Sequence, residues 1–65
     1  MNWDQIEGNW KQAKGKFREQ YGKLTDDDLE QTRGKRDALI GKMQERYGVS
    51  KDEAERQVDD LARGL

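Results

Sequence analysis

With sixty-five residues, the chain is long enough for a single domain, 1–65, and no more. It contains no Cys and no His, which excludes a disulfide framework, a structural zinc site and catalysis by either residue, so stability must come from helix packing and well-made helix ends. Thirteen basic residues against fourteen acidic ones leave a net charge of −1, which gives no bulk attraction to nucleic acid or anionic lipid.

Met1-Asn2-Trp3-Asp4 has neither the basic region nor the apolar stretch of a secretory leader. No apolar run approaches the ~18 residues of a membrane span. A cytoplasmic protein is therefore expected. High charge and a mean hydropathy of −1.39 also fit a disordered chain, but the order of residues along the chain argues for helices.

The first helix is predicted over about 3–21. Asn2 and Gln5 form a weak N-terminal cap. Trp3, Ile6, Trp10, Ala13, Phe17 and Tyr21 recur at helical spacing along one stripe, and Tyr21-Gly22 reads as a last turn followed by glycine in a left-handed stop. The second helix is predicted over about 26–47. Thr25 caps it, Asp28 stands at N3, and Leu24 and Leu29 occupy the positions of a hydrophobic staple. Its apolar residues are Leu29, Leu39, Ile40, Met43 and Tyr47, with Thr32 and Arg36 interrupting the stripe. It stops at Gly48. A third helix, about 51–63, opens on Ser50-Lys51-Asp52-Glu53, read as a full capping box flanked by Val49 and Ala54. Its apolar residues are Ala54, Val58, Leu61 and Leu65, with Gly64 as its stop. The fold expected is all-α, a small bundle of three helices, or four if the second divides at Gly34 into pieces near 26–33 and 35–47. The predicted core is Trp10, Phe17, Leu29, Ile40, Met43, Val58 and Leu61.

Gly8, Gly15 and Gly22 are spaced by seven, as are Gly34, Gly41 and Gly48. Seven residues are about two helical turns, so each set lies along one stripe. Gly22 and Gly48 are read as caps. The others are read as sites of close helix approach or as breaks, rather than as a groove for a partner helix. The two sets also reveal a repeat. A shift of 26 residues superposes Gly8 on Gly34, Gly15-Lys16 on Gly41-Lys42, Glu19 on Glu45 and Tyr21-Gly22 on Tyr47-Gly48. Two related helical halves are thus expected to pack together, short of the three or more repeats of a solenoid.

Charge falls in blocks: −2 over 1–8, +4 over 9–23, −4 over 24–32, +4 over 33–51 and −3 over 52–65. Acidic blocks stand at helix starts and basic blocks at helix middles and ends, which complements the helix dipoles. Glu7–Lys11, Glu19–Lys23, Asp52–Arg56 and Asp59–Arg63 have the spacing of i,i+4 ion pairs. The sharper reading of the first basic block is a nucleic-acid contact made by Lys11, Lys14, Lys16, Arg18 and Lys23, with Trp10, Phe17 and Tyr21 as stacking aromatics. Those aromatics share the stripe expected to be core, and the neighbouring acidic blocks repel phosphate. Asp26-Asp27-Asp28 does not fit a cation site. Consecutive helical residues point about 100° apart, and the spacing is not that of a calcium loop. The only Ser is the cap Ser50, so no nucleophile, metal or cofactor site is read from the chain and no enzyme is expected.

Gly8-Asn9-Trp10-Lys11, Lys14-Gly15-Lys16, Glu19 and Gly22-Lys23-Leu24-Thr25-Asp26-Asp27-Asp28 resemble the CsbD-like family of small bacterial stress proteins. So do Gly34-Lys35, Gly41-Lys42, Gln44-Glu45-Arg46-Tyr47-Gly48 and Lys51-Asp52-Glu53-Ala54-Glu55, and the likeness covers essentially the whole chain. The resemblance implies a bacterial cytosolic protein of the general stress response, built as a compact bundle of about four short helices, and it carries over no catalytic or ligand residues. The composition is also similar to that of hydrophilins, the glycine-rich polar proteins of water stress. The function expected is a non-enzymatic protective or interaction module with an unidentified protein partner and a monomeric state, the alternative being a small nucleic-acid-associated protein.

Overall fold

In a computed structural model, which describes residues 2–65, the order of elements is α1 (Trp3–Gly8), α2 (Trp10–Gln20), α3 (Asp26–Thr32), α4 (Arg36–Tyr47) and α5 (Lys51–Arg63). Met1, the first residue of the expected domain, lies outside the described residues. The all-α expectation holds, but among the described residues five helices stand where three or four were predicted. The break anticipated at Gly34 is present. The unanticipated one divides the expected helix 3–21 at Asn9, where φ −114 and ψ 35 leave the helical region. Gly8 and Asn9 are consecutive weak helix formers. The chain bends there without leaving its course, since the Asn9 N–H still donates to the Gln5 carbonyl at 3.0 Å and the Ala13 N–H to the Asn9 carbonyl at 3.1 Å.

Helix ends explain most of the remaining course. The Asn2 and Gln5 capping box closes on both sides, with bonds of 2.8 and 3.3 Å. So does that of Thr25 and Asp28, at 3.1 and 3.2 Å. Ser50 forms only half of the predicted box. Its Oγ accepts the Glu53 N–H at 3.2 Å, while the Glu53 carboxylate turns instead to Arg56 and Gln57. Gly48 adopts the left-handed conformation expected of it, φ 66. Gly22 and Gly64 do not. Helix α2 ends on Tyr21 in extended backbone, φ −126 and ψ 84, and Gly64 remains right-handed at φ −82. At the first of these the chain is steered instead by one tertiary bond, Lys23 N–H to the Tyr47 hydroxyl at 3.0 Å, and one turn bond, Leu24 N–H to the Tyr21 carbonyl at 3.1 Å, and Leu24 is seated in the core.

The apolar stripes converge on one core of Ile6, Trp10, Ala13, Phe17, Leu24, Leu29, Leu39, Ile40, Met43, Ala54, Val58 and Ala62. Six of the seven predicted core residues are buried, and Leu61 is half-buried against them. Thr32 fills its interruption of the stripe as a buried residue whose hydroxyl donates to the Leu29 carbonyl at 3.0 Å. That carbonyl also accepts the Trp10 indole N–H at 2.8 Å and the Arg33 N–H at 2.9 Å, so one oxygen ties α2 to the end of α3. The radius of gyration, 10.3 Å, matches the ~11 Å of a close-packed chain of this length.

Candidate functional site

The five basic residues singled out in the sequence do not assemble on one face. Core residues Trp10, Ala13 and Phe17 fix the inward side of α2. At about 100° per residue, Lys11, Lys14 and Arg18 then fall on the flank nearest α3, and Lys16 on the opposite flank. The surroundings agree. Lys11 and Lys14 line an open hollow with Glu7, Trp10, Glu30 and Arg33, whereas Lys16 lines a separate one with Asn9, Gln12, Ala13, Gly64 and Leu65. Lys14 is bonded to Glu30 at 2.7 Å and Arg18 to Asp26 at 3.0 Å. Lys23 lies beyond α2, its ammonium 5.3 Å from the centre of the Tyr47 ring. The stacking aromatics are committed elsewhere. Phe17 is fully buried, Trp10 is 8% exposed and the two rings pack against each other at 5.7 Å. Tyr21 meets its repeat mate Tyr47 edge to face at 5.8 Å. Burial pushes the Tyr21 hydroxyl above its ordinary pKa.

The four predicted i,i+4 pairs are not the ones formed. Glu7 joins Lys35 at 2.7 Å and Asp59 joins Arg36 at 2.8 Å, while Arg56 pairs with Glu53 and Arg63 with Asp60. The first two link separate helices. A partner on a neighbouring helix competes with one on the same helix surface, where the gain is only ~0.2–0.5 kcal/mol. The bonds between helices also give the directions of packing. Lys14 with Glu30 and Arg18 with Asp26 set α2 antiparallel to α3. Arg36 with Asp59 sets α4 antiparallel to α5.

The strongest polar cluster was not legible as such. Asp28, read as part of a helix start, is 2% exposed and receives the Arg46 guanidinium through two bonds, Nε at 2.8 Å and Nη2 at 2.9 Å. Lys42 stands at 3.6 Å, and the Thr25 N–H completes the set at 3.2 Å. The Arg46 guanidinium above all holds the Asp28 carboxyl far below the usual carboxylate range, against the opposing effect of burial, and Thr25 and Lys42 add to it. Arg36 likewise lowers Asp59. A carboxylate held ionised in this way is a poor base. The cluster staples the start of α3 to the end of α4. Local spacing could not show it, because its members lie 18 residues apart.

Among the described residues, no group of three or more acidic side chains is placed to hold a metal ion, and no helix is long and apolar enough to cross a membrane.

Comparison with known proteins agrees along the chain. The family model described as CsbD-like matches residues 4–56. The UPF0337 protein YjbJ of Escherichia coli O6:H1 is 64% identical over 59 residues, covering 91% of this chain and 86% of the relative. YjbJ of Salmonella typhimurium is 63% identical over 60 residues, 92% and 86% of the two chains. The UPF0337 protein NE2439 of Nitrosomonas europaea is 48% identical over 62 residues, 95% and 66%. The names of these relatives state no reaction, ligand or partner.

Proposed function

The chain belongs to the CsbD-like family, and from that membership together with its surface we propose that it is a non-enzymatic stress-response protein of the bacterial cytoplasm, acting as a protective or interaction module. The observation that supports this most is how its charge is spent. The charged side chains are spread over all five helices, and many are tied to a neighbour of opposite sign: Lys14–Glu30, Arg18–Asp26, Lys35–Glu7, Arg36–Asp59 and Arg46–Asp28. The apolar side chains are gathered in one core. Such a particle presents strongly hydrated groups in every direction and little apolar surface to which an unfolding neighbour could adhere. Hydrophilin-like composition here accompanies an ordered bundle, so the hydrated surface is held at fixed spacing rather than on a random coil.

On this reading, activity is distributed. Single substitutions of exposed charges such as Lys16→Ala or Glu19→Ala should leave protection nearly unchanged, since exposed charges contribute little individually. The test is an alanine scan of the charged residues, scored by the survival of a deletion strain under osmotic or drying stress. One or two exposed positions that abolish rescue, with helicity intact by circular dichroism, would replace the distributed surface with a dedicated interface for a protein partner, because interfaces concentrate their energy in a few residues.

A further inference from the structure

The hollow between α2 and α3 gathers Glu7, Trp10, Lys11, Lys14, Glu30 and Arg33 around an open space of about 490 Å³. Its two carboxylates are already compensated, Glu30 by Lys14 and Glu7 by Lys35, each at 2.7 Å. Lys11 and Arg33 line the same space and form no direct ion pair among the described residues, although Arg33 stands near enough to Glu30 to help hold its carboxyl low, after Lys14. Two cations with no direct ion pair therefore rim a rigid floor, the Trp10 ring, whose N–H is fixed on the Leu29 carbonyl.

The backbone beneath one of those cations adds a second observation. Arg33 is the C-cap of α3 at φ 48 and ψ 37, the only non-glycine residue of positive φ among the described residues. Glycine would hold that conformation without strain. A cation near a helix C-terminus does offset the partial negative charge there, but a basic residue in the last turn of α3 would do so from unstrained backbone. What arginine supplies at the cap itself is a planar group with five donors on the edge of the hollow.

We propose that this hollow binds a small phosphate-class anion, inorganic phosphate or a phosphate monoester. The Arg33 guanidinium is its two-pronged donor, Lys11 is the second charge, and Lys14 is shared with Glu30. Glu7 and Glu30 face the same space and set the size limit, because further phosphates of a polyanion would meet their carboxylates. The site is independent of the protective reading and stands whether or not the surface shields other proteins.

The test is a titration of the full-length, isotopically labelled chain with sodium phosphate, and separately with glycerol phosphate, at constant ionic strength, followed by amide NMR shifts. Saturable shifts confined to residues 7–14 and 30–35 are expected. Arg33→Gly should melt no lower than the parent without ligand, yet bind phosphate about tenfold more weakly, as for the loss of a charged hydrogen-bonding group. The exposed Lys11→Gln should also weaken binding. Shifts that rise linearly with phosphate and are equal in the parent, Arg33→Gly and Lys11→Gln would overturn the site. So would a stronger response to a mixed-sequence DNA duplex, with shifts spreading to Lys16 and Lys23, since the ligand would then be a polymer backbone.

Discussion

The two repeat-related halves begin from the same local signals and resolve them differently. In the first, α1 ends on Gly8 and the chain bends at Asn9 into α2. In the second, α3 ends at Thr32 and the chain turns through Arg33 and Gly34, both at positive φ, before α4. Asn9 and Lys35 are equivalent positions, and each opens its helix without a side-chain cap. What differs is the neighbour. A Cβ on Gly34 would lie 2.9 Å from the Glu7 Cα and 3.2 Å from the Trp10 ring, whereas one on Gly8 would meet nothing within 4 Å. The tyrosine-glycine stops diverge for a similar reason. Gly48 takes the left-handed stop, while the chain beyond Tyr21 is drawn aside by the Tyr47 hydroxyl. A glycine permits a break; contact across the fold decides where the permission is used.

The largest effect should follow from removing the permission where it is used. Gly34→Ala places a Cβ against backbone atoms that cannot swing away and forces alanine to φ 82. Left-handed strain of ~1–2 kcal/mol and overpacking of ~1–3 kcal/mol together predict a loss of about 3 kcal/mol, a large part of the stability of so small a domain. Gly8→Ala should be neutral or gain up to ~1 kcal/mol. Urea midpoints of the two variants read the contrast directly. Equal losses at Gly8 and Gly34 would mean that local helix propensity, and not the contact with Glu7, separates the halves.

A second difference lies in the helix starts. The box of Asn2 and Gln5 is exposed and local, whereas that of Thr25 and Asp28 is part-buried and its Asp28 is locked by Arg46. Asp28→Asn keeps the shape but loses the charge, and should cost about 2 kcal/mol at pH 7. Gln5→Ala, at an exposed cap, should cost well under ~1 kcal/mol. The sign of the pH dependence follows from the lowered pKa of Asp28. A carboxylate titrating lower in the folded state adds stability above its unfolded pKa of ~3.9 and loses it as pH falls toward the folded value. The gap between the parent and Asp28→Asn should therefore be constant from pH 7 to about 4 and narrow below that. Denaturation midpoints at neutral pH and near pH 2.5 check this, and an unchanged gap in acid would show that the ion pair contributes nothing.

The elements that depend on neighbours in sequence were legible. Thr25 and Leu24 announced the start of α3, Gly48 the end of α4, and the 3–4 spacing of Trp10, Phe17, Ile40, Met43 and Val58 the core. Those that depend on the other half of the molecule were not. The extended exit at Tyr21 and the partners of Glu7, Asp28 and Asp59 each involve residues at least 18 positions away, for which local pattern has no signal. The basic block of α2 was legible as composition only. Which flank each lysine occupies became clear once Trp10, Ala13 and Phe17 had fixed the inward face, and Arg33, on the rim of the hollow, lay outside that block altogether.

The smallest predicted effect concerns the positions at which the two halves agree. Gly15 and Gly41 superpose under the repeat, both sit inside a helix, and an added Cβ at either meets nothing within 4 Å. Neither has positive φ. With no contact to lose and no strained backbone to preserve, replacement by alanine acts mainly by restricting the unfolded chain and favouring helix, a gain of ~0.5–1 kcal/mol at each site. The open space around each position also predicts that the double variant gains the sum of the two within about 0.5 kcal/mol, as independent sites do. Thermal or urea unfolding of the single and double variants measures this. A loss at either glycine would show that its bare backbone is packed against another part of the chain, and the equivalence of the halves would then end at their sequences.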